Sequence, residues 1–125
     1  MYQEIEAWLN VVLEQDIPSS VAAFGFNLYE DGNNAWSMEL VGTESFDPEN
    51  EDWICEEVTD FETRDDPFAW EQEAGWEEIL EEVILVLKEY LENGLYADLL
   101  KSRCGVGVGF VDGDVEILYE EAGNI

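Results

Sequence analysis

Acidic side chains far outnumber basic ones in this chain, and this imbalance limits the possible folds more than any motif does. The 125 residues include 32 Asp and Glu, 4 Lys and Arg and no His, so the formal net charge is −28. A compact state with this charge folds against its own repulsion. Disorder would require low hydrophobicity as well, yet 46% of the residues are hydrophobic and 13% are aromatic. The composition therefore predicts a single globular domain over residues 1–125, built on one core.

Two segments have the spacing of amphipathic helices. Apolar residues recur every three to four positions in 2–15 and again in 75–92, which is typical of helices with one buried face. Pro18 is expected to end the first helix and Gly94 the second. A short helix is predicted at 96–101.

Other segments change to a period of two, which indicates strands. The predicted strands are 20–29, 35–43, 53–59, 105–110 and 114–119. Turn residues at 30–34 and 112–113 predict two hairpins. Residues 60–74 are expected to be irregular or to contain one helical turn that begins at Asp66. The order α-β-β-β-α-(α)-β-β predicts an α+β domain with helices packed on a mostly antiparallel sheet of about five strands.

The run Gly105-Val106-Gly107-Val108-Gly109 superficially resembles a nucleotide-binding loop. The dinucleotide fingerprint needs a different glycine spacing between a strand and a helix, whereas here the glycines recur every second residue. We therefore interpret this run as a strand with one side stripped of side chains, which another element can approach closely.

The residues that usually carry catalysis are scarce. Without histidine, no Ser–His or Cys–His relay can form within the chain, and carboxylate pairs are too frequent to point to any one site. The chain is therefore predicted not to be an enzyme and to need no cofactor. Acidic runs at 47–52 and 112–116 offer oxygen ligands, but neither matches an EF-hand loop, so no metal site is predicted.

Cys55 and Cys104 are the only thiols. They are expected to be buried free cysteines, although a single disulfide between them stays open. A zinc site would need four ligands, and no histidine is available to supply the others.

The densest acidic segment lies at 44–66, and we call it the acidic belt. It holds eleven acids and one base, Arg64, with aromatic residues among and just after them. Aromatic anchors and steering charges are what an interface to a basic surface requires. The predicted partner-binding residues are Glu44, Asp47, Glu49, Glu51, Asp52, Trp53, Glu56, Glu57, Asp60, Glu62, Asp65, Asp66 and Trp70.

The charge also excludes some partners. Binding to nucleic-acid phosphates or to anionic membranes relies on Lys and Arg, and only four are present. No apolar run is long enough to span a membrane, and the first fifteen residues lack the basic start of a signal peptide. A cytoplasmic protein is expected, either a monomer or a homodimer, because Leu85 and Val86 widen the apolar face of the long helix.

Three runs of the chain resemble small acidic immunity proteins of bacterial toxin–immunity systems. They are Asp52-Trp53-Ile54-Cys55-Glu56-Glu57-Val58, Ala74-Gly75-Trp76-Glu77-Glu78-Ile79 and Gly107-Val108-Gly109-Phe110-Val111-Asp112-Gly113-Asp114. The similarity spans residues 20–120. It implies a non-catalytic protein that binds one cognate toxin tightly, often a nuclease. It assigns no individual site residues.

Two other functions are compatible with the composition. A nucleic-acid mimic of the anti-restriction or anti-CRISPR type would place carboxylates along a long array, whereas clustering at 44–66 favours a compact patch. A housekeeping protein of a halophile would use acidity for solubility. An electrostatically steered inhibitor of a basic toxin remains the leading hypothesis.

Overall fold

The computed structural model describes residues 2–15, 17–47, 49–63, 66–111 and 113–120, and for 51 and 58–62 the backbone alone. Three helices, one 3₁₀ helix and six strands follow one another along this part of the chain. They are α1 (Tyr2–Val12), β1 (Ala23–Gly32), β2 (Ala35–Thr43), the 3₁₀ helix (Glu51–Cys55), β3 (Glu57–Glu62), β4 (Phe68–Glu71), α2 (Trp76–Asn93), α3 (Ala97–Leu100), β5 (Gly105–Phe110) and β6 (Glu116–Glu120).

All six strands belong to one sheet in the order β3-β2-β1-β5-β6, and β4 pairs with the first half of β2. Every pairing is antiparallel except that of β1 with β5. The parallel pair is possible because β3, β4, α2 and α3 return the chain to the start of the sheet between β2 and β5. The predicted α+β class with a mostly antiparallel sheet is confirmed.

One face of the sheet carries the main core. Successive strand residues point to opposite faces, and the even-numbered residues of β1, β2 and β5 pack with the apolar faces of α1 and α2. The buried side chains include Ile5, Leu9, Phe24, Phe26, Leu28, Trp36, Met38, Leu40, Ile79, Val83, Leu87, Val106 and Val108. Tyr90 joins the two helices, because its hydroxyl donates to Asn10 Oδ1 at 2.8 Å.

The second face of the sheet carries glycines where the chain folds back over it. Phe46, Trp53 and Ile54 pack there. A Cβ added at Gly25 would lie 2.6 Å from Ile54 Cγ1, and one at Gly107 would lie 2.8 Å from Trp53 Cζ2. The run from Gly105 to Gly109 is therefore a strand that another element approaches closely, as predicted. The approaching element is the segment that follows β2.

The β1–β2 hairpin turns through two asparagines with positive φ, Asn33 at 54° and Asn34 at 63°. Asn accepts this conformation more readily than most residues. The predicted turn at 30–34 is confirmed, although β1 extends to Gly32.

The prediction of a strand over 53–59 is wrong in its first half. Residues 51–55 form the 3₁₀ helix, capped by Asn50, whose side chain accepts from the Asp52 amide. Alternation would send Trp53 and Ile54 to opposite faces, yet both are buried against the same face of the sheet. A helical turn is what brings these two neighbours to one side.

The prediction for 60–74 is also wrong in part. Residues 68–71 form β4, in which Trp70 lies opposite Trp36. Between β3 and β4 the chain stays hydrogen-bonded to β2, since the Thr63 amide donates to the Leu40 carbonyl at 3.1 Å. No helical turn begins at Asp66, which lies in a bend. Pairing with β2 therefore determines the conformation of this segment, and the helix-capping pattern at Asp66 does not.

Cys55 and Cys104 are free thiols, but both are exposed, so the prediction that they are buried is wrong. Cys55 is the last residue of the 3₁₀ helix, and Cys104 precedes β5. Their positions at the ends of elements place them outside the alternating and helical patterns from which burial is inferred.

Substituting Gly107 with Ala should destabilise the fold, because the new Cβ would lie 2.8 Å from Trp53 Cζ2. Overpacking of this kind typically costs about 1–3 kcal/mol of unfolding free energy. Gly113→Ala is the matched control, since its Cβ would meet Phe110 Cβ at 3.7 Å, an ordinary contact. Urea denaturation measures both. Equal stabilities of the two variants would contradict the packing described for the second face.

Tyr90→Phe should lower the unfolding free energy by about 1 kcal/mol near neutral pH, because the hydroxyl bonds Asn10 and the Tyr96 amide. Burial raises the pKa of the Tyr90 phenol above its ordinary value of 10.0. The folded state therefore holds this proton more tightly than the unfolded chain does. The stabilisation by the Tyr90 hydroxyl is fully present below the pKa that this phenol has in the unfolded chain. It is lost as the pH rises through the higher pKa of the folded state.

The stability gap between the wild type and Tyr90→Phe should therefore be constant from about pH 7 to about pH 9 and should narrow as the pH rises from about 9 to about 11. Urea melts across this range measure it. A gap that stays constant would show that the phenol titrates alike in the folded and unfolded states.

Candidate protein-interaction surface

The acidic belt begins where β2 ends and runs through a loop, the 3₁₀ helix and β3. Its loop half, 44–56, covers the second face of the sheet, because Phe46, Trp53 and Ile54 are the side chains packed there. β3 forms one edge of the sheet beside β2. The belt is thus held in place from below by apolar packing and at its side by strand pairing.

Hydrogen bonds hold the loop in a defined shape. Asp47 Oδ1 accepts from the Glu49 amide at 2.9 Å, and Asn50 Oδ1 accepts from the Asp52 amide at 3.1 Å. The Glu44 amide donates to the Glu56 carbonyl at 2.9 Å and closes the loop at its base. The carboxylates therefore project from a folded segment rather than from a free chain.

The described acids of the belt are at the surface. Glu44, Asp47, Glu49, Asp52, Glu56 and Asp66 are exposed, and Glu57 is half-buried. The Ser45 hydroxyl donates to a Glu56 carboxylate oxygen. Asp65, like Arg64, lies outside the described residues, and so do the side chains of Glu51, Asp60 and Glu62.

Neither of the two aromatic residues predicted as anchors, Trp53 in the belt and Trp70 after it, is exposed. Trp53 is only 2% exposed and stacks edge to face with Phe46, the ring centroids 4.8 Å apart. Trp70 is half-buried, and its indole N–H donates to Gln72 Oε1 at 3.1 Å. Trp53 therefore supports the loop from inside and offers no surface to a partner.

A polar cluster that the sequence patterns do not reveal lies beside the belt. Glu39 on β2 is only 3% exposed, and its Oε1 accepts from Asn27 Nδ2 at 3.1 Å and from the Tyr29 hydroxyl at 2.7 Å. Asn27 and Glu39 are register partners across the β1–β2 hairpin. Pairing the two predicted strands around the turn at 30–34 could have placed Asn27 opposite Glu39. The alternation of apolar and polar residues, however, gives no sign that Glu39 is buried.

This cluster opens into a cavity of about 280 Å³ that reaches the belt. Asp52, Glu57 and Val115 are among the other residues that line it. Within the described part of the chain, no group of three or more Asp, Glu or Cys residues is arranged to hold a metal ion.

The described cations belong to segments other than the belt. Lys88 is on α2, while Lys101 and Arg103 follow α3. Arg103 Nη1 is 3.2 Å from Ser102 Oγ, to which it donates. The four Lys and Arg residues of the full sequence cannot neutralise its 32 acids, so the surface keeps a strong negative field.

Comparison with known proteins gives no match to a family model, to a curated protein or to a solved structure. Among the described residues, no helix is long and apolar enough to cross a membrane.

Replacing Glu39 with Leu should destabilise the fold by about 1–3 kcal/mol, because it removes the acceptor of the buried Asn27 amide and of the Tyr29 hydroxyl. Glu39→Gln keeps an acceptor oxygen at the same position and should be the more stable of the two variants. Chemical denaturation compares them. If the Leu variant were as stable as the Gln variant, these two hydrogen bonds would contribute nothing.

Proposed function

We propose that this chain is a non-catalytic binding protein that neutralises a basic protein, a toxin domain of the nuclease type, by occupying its cationic surface. The observation that carries the proposal is the set of exposed carboxylates on the hydrogen-bonded loop 44–56, in a chain with a net charge of −28. The resemblance to immunity proteins supports the same function.

The strength of the charge matters for the rate of capture. Complementary fields raise association rates from about 10⁵–10⁶ M⁻¹s⁻¹ to about 10⁸–10⁹ M⁻¹s⁻¹ at low salt. A nuclease presents a basic cleft because it must bind phosphates. An acidic protein can occupy the same cleft, and fast binding protects the cell that makes the toxin.

The ordered loop adds to this argument. Self-repulsion among the carboxylates of 44–56 opposes holding them on a folded segment, yet the loop is fixed by the Asp47 and Asn50 side chains. A surface that is already in its bound shape loses less entropy when a partner binds. The loop is therefore suited to one partner of defined shape.

The direct test is coexpression with the basic domain encoded next to this gene. The chain should restore growth of cells that produce the domain, and the two proteins should copurify. The proposal is wrong if no Lys- and Arg-rich domain is encoded there, or if the chain neither binds nor inhibits it.

Reversing two belt charges, Glu49→Lys with Asp52→Lys, should slow association with that domain by about tenfold at low salt, with a smaller change in dissociation. The control is Glu92→Lys with Asp98→Lys, which changes the net charge equally at exposed positions of α2 and α3. Surface plasmon resonance measures the association rate at low salt and at about 0.5 M salt, because salt screens exposed charges. Comparing the two variant pairs separates the effect of charge in the belt from the effect of the net charge. Equal slowing by the two pairs would remove the belt from the interface.

A further inference from the structure

A second surface lies where the parallel pairing of β1 with β5 ends, at Leu28 and Phe110. A groove of about 770 Å³ opens there against the first turns of α2. Its apolar walls are Leu28, Trp76, Leu80, Phe110 and Val111. The crevice outside the carboxyl ends of neighbouring parallel strands is a common place for binding sites.

The groove exposes large apolar groups that the fold leaves uncovered. The Trp76 side chain is 52% exposed and that of Val111 is 51% exposed. Trp76 meets Phe110 edge to face, with ring centroids 6.1 Å apart, and Phe110 in turn meets the buried Trp36 at 6.0 Å. The exposed indole is thus braced against the core, as an interface anchor should be.

Carboxylates surround this apolar floor. Glu30 and Asp114 line the groove, and the exposed residues Asp31 and Glu77 directly follow the lining residues Glu30 and Trp76 in the sequence. A second copy seated here would bring like charges together in a chain of net charge −28. A cationic occupant would instead find opposite charges around an apolar centre.

The groove adjoins the cavity beside the acidic belt. Tyr29, Phe110, Val111 and Gly113 line both of them. The belt displays charge but buries its Trp53, whereas the groove displays an aromatic residue. The two surfaces together supply the steering charges and the anchor that the belt alone was expected to provide.

We propose that the groove is the anchoring site for the basic partner, and that it takes an aromatic or branched aliphatic side chain flanked by Lys or Arg. This inference rests on the proposed function and assigns its contact surface. Trp76 and Leu80 on α2, with Phe110, Val111 and Asp114 at the end of β5 and after it, then supply the contacts of the groove.

Two synthetic peptides of equal charge test the site, KKFLKK and KKGSKK, with binding measured by calorimetry at low salt. The wild type should bind KKFLKK about tenfold more tightly, because only this peptide offers apolar side chains to the groove. Trp76→Ala should remove the difference between the peptides. The matched control is Leu85→Ala, since Leu85 lies on the same helix, is 63% exposed and does not line the groove.

Circular dichroism melts of both variants establish that they are folded, and Val111→Ser provides a second groove variant that should act in the same direction. Equal affinity of the wild type for the two peptides, or an unchanged preference in the folded Trp76→Ala variant, overturns the assignment of the groove. If the two peptides bind with equal affinity, the groove assignment fails but the proposal of a basic partner is kept. If neither peptide binds, the proposal of a basic partner fails as well. Sedimentation that shows a dimer broken by Trp76→Ala would identify a second copy as the occupant and overturn the proposal.

Discussion

The packing of Trp53 and Ile54 against the glycine-lined face of the sheet is the contact on which the rest of the structure depends. Gly25 and Gly107 leave no room for a Cβ beneath these side chains. Because the segment after β2 is drawn onto the sheet in this way, its apolar residues point inward and its carboxylates point to solvent. One contact therefore closes the second face and displays the acidic belt.

The fold separates charge from apolar surface. The core between the sheet and the helices α1 and α2 takes up most large side chains, and its burial opposes the repulsion of the surface acids. The same separation is incomplete at the carboxyl ends of β1 and β5, where Trp76 and Val111 stay half-exposed. An uncovered aromatic residue in a chain with this core is more informative than its exposed acids, since acids must be exposed in any case.

The sequence predicts those parts of the fold in which local pattern and tertiary packing agree. Both long helices, the β1–β2 hairpin and the β5 strand have strong periodicity or turn residues, and all are present. The segment 51–71 departs from prediction because its conformation is decided by distant partners: Trp53 by the glycines, and β4 by pairing with Trp36 and its neighbours on β2. Local sequence carries little record of such contacts.

The candidate site shows the same limit. A run of carboxylates is visible in any sequence, and the exposed acids from Glu44 to Asp66 are where the pattern places them. An aromatic residue is available to a partner only if its side chain is not covered by the fold, and the neighbouring sequence does not determine this. Trp53 is buried, whereas Trp76, at the start of an amphipathic helix, is not. A partner that reads both surfaces must approach across the ends of β1 and β5, because the residues shared by the groove and the belt-side cavity lie there. Under the proposed function, the charges set the association rate of the partner and the groove sets its dissociation rate.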